Sequence, residues 1–287
     1  MPGMEETRGT TTAPWRPGHG RLSRRAVLLG GAALAATGAT GRAATQDGQT
    51  SRRGDGPVLV GGRSYDAYVE VADKRGQFAY YSCEFDAAWI VLNTFGIEAS
   101  LEDQLAITGI DRDPEPYAVE TADGIIVYGG DTESTFCGDY TWNYLAKLRS
   151  PAMRKVFDAY GLGVRPVRDR RDLKDALTRG EPCWIKPTVD FKPFTLATWT
   201  TPDGETYPTV LDNDHAVVAV GFNDDVVVIK DPLGPTNTNW DRAWEYEVPW
   251  RDFMRCWMAQ ADDGLAVGPA GEVTGDGTAG PDWKDLP

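Results

Sequence analysis

One histidine, one aspartate and one cysteine in this chain have the types and setting needed to activate a nucleophile. The sequence holds two His and four Cys. His19 falls in an N-terminal leader, so His215 is the only imidazole of the mature protein. A thiol is a poor nucleophile until it is a thiolate. Its pKa falls at a helix N-terminus, where unpaired N–H groups favour negative charge, and falls further beside an imidazolium. Cys83 stands at the head of an apolar helical pattern and meets the first condition, and His215 can supply the second. The histidine then needs a partner to fix its tautomer, and Asp231 is the candidate. His215 opens and Asp231 closes the run Asp212–Pro232, which reads as a β-hairpin. A three-residue loop at Phe222–Asp224 would set the two directly opposite each other on one face, whereas a two-residue loop would part them. The Cys83 N–H is one oxyanion donor by its place on the helix, and Gln77, six residues upstream, is the candidate for the second.

The elements that must carry these residues are legible in part. From Cys83 the residues Phe85, Ala88, Trp89, Leu92 and Phe95 form one stripe, with Ala87, Ile90 and Val91 filling much of the other side. A helix apolar nearly all round is buried. Ser82 reads as its N-cap and Gly96 as its stop. Ser100–Asp103 reads as a capping box opening a helix to about Thr108. Residues 109–138 read as loop, with only Gly124–Tyr128 strand-like. Further helices are expected over 140–148, 151–160, 171–179 and 250–258, with strands at 57–60, 65–71, 183–189 and 264–267. Helices early and antiparallel strands late make an α+β signature.

Around this core the chain divides into four parts. Ser23-Arg-Arg-Ala-Val-Leu-Leu29 followed by a short run of small apolar residues reads as a twin-arginine signal peptide over 1–43. Export of the folded protein through the twin-arginine translocase and a secreted, extracellular location follow as expectations. Residues 44–60 read as a flexible linker, 61–267 as one domain, and 268–287 as a disordered acidic Gly/Pro tail. No later apolar run approaches the ~20 residues of a membrane span. The whole chain carries −14; the first 43 residues hold six Arg and two acids, so the remainder has 23 basic against 41 acidic side chains. That surface repels phosphate backbones and disfavours nucleic-acid binding. Only eight of the 29 basic residues are Lys, which suits a salt-rich setting or simply a GC-rich genome.

The cysteine at a buried helix head with Gln six residues before it, the strand-opening His and the Asp-Pro ending the next strand resemble the papain-like cysteine peptidases. They resemble more closely the double-glycine-leader-peptidase-like branch in stand-alone form. The pieces that carry the resemblance are Cys83-Glu84 leading to Ile90–Asn93 and Gly96, Gly129–Asp131, Phe136–Gly138, Leu173–Pro182, Asp214–Gly221 and Lys230–Leu233. The resemblance implies a papain-like fold and a thiol hydrolase acting on a peptide or protein substrate. In it Cys83 is the nucleophile, His215 the base and then the acid, Asp231 the orienter and Gln77 part of the oxyanion hole. Phe85 and Asp86 stand where the family has small residues, and Glu84 and Asp86 oppose thiolate formation. With no transporter domain in view, leader-peptide processing does not carry over. The alternatives are a non-catalytic extracellular binding module of the same fold, and an acyltransferase or amidase working through the same acyl-enzyme. Cys137, Cys183 and Cys256 read as structural, with three disulfide pairings open. No cofactor is implied. No metal is expected, since the acid runs Asp111–Asp113, Asp131–Glu133 and Asp262–Asp263 lack calcium-loop spacing and read as solvated surface. Trp199, Tyr207, Trp240, Trp244 and Tyr246 line a cleft or pack the core.

Overall fold

The computed structural model describes residues 57–234 and 240–271. The stretch read as a signal peptide, most of that read as linker and most of that read as tail lie outside the described residues. The elements run β1 (Val58–Val60), β2 (Arg63–Tyr65), β3 (Ala67–Tyr68), α1 (Cys83–Thr94), α2 (Leu101–Thr108), β4 (Ile110–Asp111), β5 (Tyr117–Thr121), β6 (Gly124–Tyr128) and β7 (Phe136–Cys137). They continue with α3 (Ser150–Ala159), β8 (Leu162–Pro166), α4 (Arg170–Thr178), β9 (Cys183–Ile185), β10 (Leu196–Thr200), β11 (Thr206–Val210), β12 (Val217–Phe222), β13 (Val226–Lys230), β14 (Glu245–Pro249), α5 (Trp250–Met258) and β15 (Gly264–Pro269). The architecture is α+β. The main sheet is ordered β14-β13-β12-β9-β15-β8, with β3 also on β12, and all its pairings are antiparallel.

Side-chain alternation along β12 gives the sheet two buried faces. Val218 and Val220 join Trp184 and the α1 residues Phe85, Ala88 and Leu92 in one core. Val217 and Ala219 join Cys183, Ile185 and the α4 and α5 residues Leu173, Phe253 and Trp257 in a second. With both faces covered, β12 is apolar throughout.

The hairpin is not built as the sequence suggests. The Asn223 side chain accepts from the Asp225 and Val226 amides, both at 3.0 Å, and the Asn223 amide donates to the Val226 carbonyl at 3.1 Å. The turn is therefore the two-residue Asp224-Asp225 rather than Phe222–Asp224, because an asparagine side chain mimicking backbone fixes the tighter loop. Alone, that turn would send His215 and Asp231 to opposite faces. A β-bulge corrects it. Phe222 pairs with Val227 and Gly221 with Val228, but then Ala219 pairs with Ile229 and Val218 with Lys230, so Val220 is the extra residue. Continuing that register sets Asp231 opposite Val217, and His215 lies two residues farther along on the same side. Such diagonal neighbours are roughly 7–8 Å apart, within reach of an imidazole and a carboxylate. Beside the bulge, β3 approaches so closely that a Cβ on Gly221 would lie 2.9 Å from the Ala67 carbonyl oxygen. Gly221→Ala is expected to lower unfolding free energy by about 1–3 kcal/mol, read by denaturant titration.

Other differences from the sequence expectation have local causes. Residues 140–148 form turns, not a helix. There Asp139 accepts from the Thr141 amide at 2.8 Å and Asn143 from the Leu145 amide at 3.0 Å, a competing use of backbone donors. A second sheet, β11-β10-β6-β5, holds the strand-like Gly124–Tyr128 as β6 and takes up Tyr117–Thr121, read as loop, as β5. Its edge strand β5 is exposed along its whole length and so shows no apolar alternation. Trp199 and Tyr207 stack at 6.2 Å in the core of this sheet, while Trp240 is exposed. Asp263 is not solvated surface: it is buried and accepts from the Ser150 amide at the start of α3 at 3.1 Å. The Ser100–Asp103 capping box forms as expected. All four cysteines are buried and free. Among the described residues no helix is long and apolar enough to cross a membrane.

Candidate functional site

The strand ladder that positions His215 extends beyond β12. Val217 pairs with Ile185, the His215 amide donates to the Pro187 carbonyl at 3.3 Å, and Thr188 bridges Asp214. Alternation along this ladder turns Asp214 and Ala216 toward the α1 side and His215 toward the side of Val217. There His215 Nε2 meets Asp231 Oδ1 at 2.9 Å, with the two side chains 2 % and 0 % exposed. This pairing leaves Nδ1 as the ring nitrogen free for proton transfer. Asp231 is held by more than the histidine. Its Oδ1 also accepts from the Leu233 amide at 2.8 Å, and its Oδ2 from Tyr246 Oη at 2.8 Å and from Arg242 Nη1 at 3.0 Å. Burial pushes this carboxyl up, but His215, Arg242 and Tyr246 together hold it below the ordinary range.

Cys83 is the first residue of α1 and is 7 % exposed. Its Sγ donates to Glu84 Oε2 at 3.2 Å, and among the described residues no hydrogen bond joins it to His215. Burial and the neighbouring Glu84 carboxylate raise the thiol well above its usual value, with Lys186 pulling the other way. Burial and Glu84 thus favour the neutral thiol at this position. Glu84 is itself buried and paired: Lys186 Nζ lies 2.6 Å from Glu84 Oε1 and 2.8 Å from Asp214 Oδ2. Lys147 approaches Asp214 at 3.4 Å, and Gln260 Nε2 donates to Asp214 Oδ1. The acidic neighbour that seemed only to oppose the thiolate is thus one end of an alternating buried chain of charge.

Asp86 has a different task. The expected Ser82 cap does not form; Ser82 Oγ donates to Asp86 Oδ2 at 2.6 Å instead. Asp86 also accepts from the Phe78 amide at 2.9 Å and pairs with Lys74 at 3.1 Å. It so ties the loop bearing Gln77, which is half-buried, to the first turn of α1. Burial pushes the Asp86 carboxyl up to about 6, against the pull of Ser82, Lys74 and the Phe78 amide. A carboxyl raised on folding stabilises most below its unfolded value of 3.8 and loses that contribution as pH rises through about 6. Asp86→Asn is expected to flatten the fall in Tm between about pH 4 and 6; Asp262, raised to about 6 by burial and Asp169, contributes to the slope that remains.

The structure thus joins His215 with Asp231 but does not bring Cys83 to that pair: the sulfur lies with Glu84 on the α1 side of the sheet, and Gln77 lies on the loop leading to it. Sequence reasoning gave no role to Lys186, Lys147 or Arg242, named Asp214 only within the segment that carries the resemblance, and named Tyr246 only as lining a cleft or packing the core. Lys186 carried a signal: it follows Cys183-Trp-Ile185, a strand buried at every position, and a lysine in such a place is almost never unpaired. Among the described residues no group of His, Cys, Asp and Glu is arranged to hold a metal ion.

Comparison with known proteins bears on the family and the fold. The chain is 28 % identical over 182 residues to the uncharacterized protein YvpB of Bacillus subtilis, covering 60 % of this chain and 66 % of that protein. The crystal structure of a protein classed as a C39-like peptidase from Bacillus anthracis superposes with a TM-score of 0.53 at 17 % identity, over 70 % of this chain and 96 % of that one. A Carica candamarcensis cysteine protease, with a TM-score of 0.34 and 16 % identity over 69 % of this chain and 93 % of its own, is too distant to bear on the fold. Residues 68–264, more than half of the sequence, match the Peptidase_C39 like family. A helix headed by a cysteine and packed on an antiparallel sheet that carries a buried His–Asp pair is the fold of the cysteine-peptidase superfamily, and the chain belongs to the Peptidase_C39 like family.

Proposed function

We propose that this chain is a secreted cysteine hydrolase that cleaves amide bonds in a peptide or protein through a thioester acyl-enzyme. The observation that carries the reading is the buried His215–Asp231 pair at 2.9 Å, in a domain whose α1 begins with a cysteine. In this mechanism substrate binding must bring the first turn of α1 to His215, since no hydrogen bond joins Cys83 to it in the structure; His215 Nδ1 then takes the Cys83 proton, and the thiolate attacks the scissile carbonyl. The oxyanion is met by the Cys83 N–H and the Gln77 side chain. Collapse of the tetrahedral species breaks the C–N bond, and His215 gives its proton to the leaving amine. Water, deprotonated by His215, then releases the acid and regenerates the thiol. Asp231 holds Nε2–H throughout. Export through the twin-arginine translocase, supported by Arg24-Arg25 and the apolar run after them, places this activity outside the cell.

One observation favours the non-catalytic binding module instead: the sulfur is buried and hydrogen-bonded to Glu84, both of which favour the neutral thiol. Digestion of a proteome-derived peptide library, with product termini mapped by mass spectrometry, separates the two. The hydrolase reading expects new termini with the native chain and none with Cys83→Ala. A library left intact by the native chain would favour the binding module.

A further inference from the structure

The residues next to Cys83 and next to His215 are joined by one side chain. Glu84 follows the cysteine on α1, and Asp214 precedes the histidine on the extension of β12. Lys186, just past the end of β9, reaches both, at 2.6 Å and 2.8 Å. Its own exposure is 2 %. A second tie runs in parallel, from Trp184 Nε1 to the Glu84 carbonyl at 3.0 Å. Four buried ionic groups therefore alternate in sign, Glu84, Lys186, Asp214 and Lys147, with Lys147 also donating to Thr209 Oγ1 at 2.8 Å. The Cys83 sulfur sits at the Glu84 end of that chain.

We propose that Lys186 is a positioning residue for the Cys83 thiol: it locks the cysteine's helix to the histidine's strand through Glu84 and Asp214, and it supplies the cation that offsets both acids when the sulfur becomes negative. The proposal rests on the hydrolase reading. Its physical basis is a balance of charge in a dry site. Glu84 and Asp214 each disfavour a thiolate, and Lys186 favours it. Burial works against the Lys186 ammonium, yet Asp214 and Glu84 outweigh burial and keep it charged. Lys147 is a weaker source of positive charge, since burial, the largest influence on it, lowers its proton affinity. The charged groups acting on the thiol are thus Glu84 from α1, Lys186 just past β9 and Asp214 from the β12 extension, with Lys147 beyond Asp214; His215 joins them only in the hydrolase mechanism.

A purely mechanical tie and an electrostatic one differ in sign. If Lys186 only braces the fold, removing either end of its bond to Glu84 perturbs Cys83 in the same direction. If charge at the sulfur is what matters, the two removals oppose each other. The test is the pH dependence of iodoacetamide alkylation of Cys83 in the full chain, resolved from the other three cysteines by peptide mass spectrometry. Lys186→Met is expected to move the midpoint up, and Glu84→Gln to move it down, each by roughly one to three pH units. Lys186→Arg, which keeps the charge, is expected to stay nearer the native midpoint than Lys186→Met. Should Lys186→Met fail to fold, Glu84→Gln, which leaves Lys186 on Asp214, still decides. An unmoved or raised midpoint in Glu84→Gln overturns the proposal. His215→Ala measured alongside keeps the two readings apart: loss of its effect would count against the hydrolase mechanism, while the opposite shifts of the Glu84 and Lys186 variants would still be read.

Discussion

Replacing His215 with Ala is expected to lower peptide hydrolysis by about 10²–10⁴-fold and to slow alkylation of Cys83 at pH 6. The size follows from the state of the sulfur. Burial and Glu84 raise the Cys83 thiol, so the thiolate is disfavoured without help. The reaction then depends on a base that takes the proton as the carbonyl is attacked. His215 is the only histidine among the described residues, and its Nε2 is committed to Asp231 at 2.9 Å, which sets the tautomer that leaves Nδ1 free. Asp231→Asn keeps a hydrogen-bonding oxygen but removes the charge that stabilises the imidazolium, so its loss of rate should approach that of His215→Ala without removing the base. Initial rates over pH 5–9 check both. Rates for His215→Ala within a factor of about three of the native chain would rule out the histidine as the base.

The largest effect on stability is expected from Arg242→Leu. Arg242 Nη1 lies 3.0 Å from Asp231 Oδ2, and its side chain is 2 % exposed. The guanidinium also donates from Nε to the Gly234 carbonyl at 2.9 Å and from Nη1 to Tyr246 Oη at 3.2 Å, and pairs with Asp190. Breaking a buried pair by removing one partner leaves a charge that the interior cannot solvate, which costs about 3–5 kcal/mol. For a domain of this size that corresponds to a fall in Tm of roughly 6–20 °C. The pH dependence has a defined sign. Asp231 is depressed on folding, so its contribution is present above the unfolded value of 3.8 and is lost as pH falls through the folded one. Without Arg242 the folded pKa rises, and acid unfolding should begin at a higher pH. Thermal melts from pH 3 to 7 read both the drop and the moved edge. A variant melting within about 2 °C of the native chain would show that Arg242 does not hold Asp231.

What the sequence makes legible here is the residues that punctuate elements. Cys83 after Ser82, the capping box at Ser100, Pro151 at the head of α3 and the Asp-Pro after β13 all mark boundaries that the structure keeps. The partnership of His215 with Asp231 was readable, but its register was not. The reason lies in the run Val217–Phe222, which is buried at every position. A strand apolar on both faces carries no alternation from which a one-residue slip can be seen, so the bulge at Val220 leaves no trace in the pattern. Two errors, a loop one residue too long and an unseen bulge, cancelled in parity. The charge chain was hidden for another reason. Glu84, Lys186, Asp214 and Lys147 are scattered over 131 positions of sequence and become neighbours only when α1, β9 and the β12 extension pack. Similarly, Asp86 looks like an electrostatic liability on a helical wheel, and only the fold shows it reaching back to the Phe78 amide.

The central claim is that the Cys83 sulfur is the nucleophile and depends on His215. The measurement closest to it is adduct mapping with a panel of peptidyl acyloxymethyl ketones, electrophiles that combine a peptide with a group displaced by a thiolate. The native chain and His215→Ala would be incubated at pH 6.5, digested and sequenced by mass spectrometry. The account predicts a single adduct on Cys83 in the native chain, formed far more slowly in His215→Ala. A native chain that takes up no member of the panel, carries the adduct on another residue, or labels as fast without His215 would contradict it.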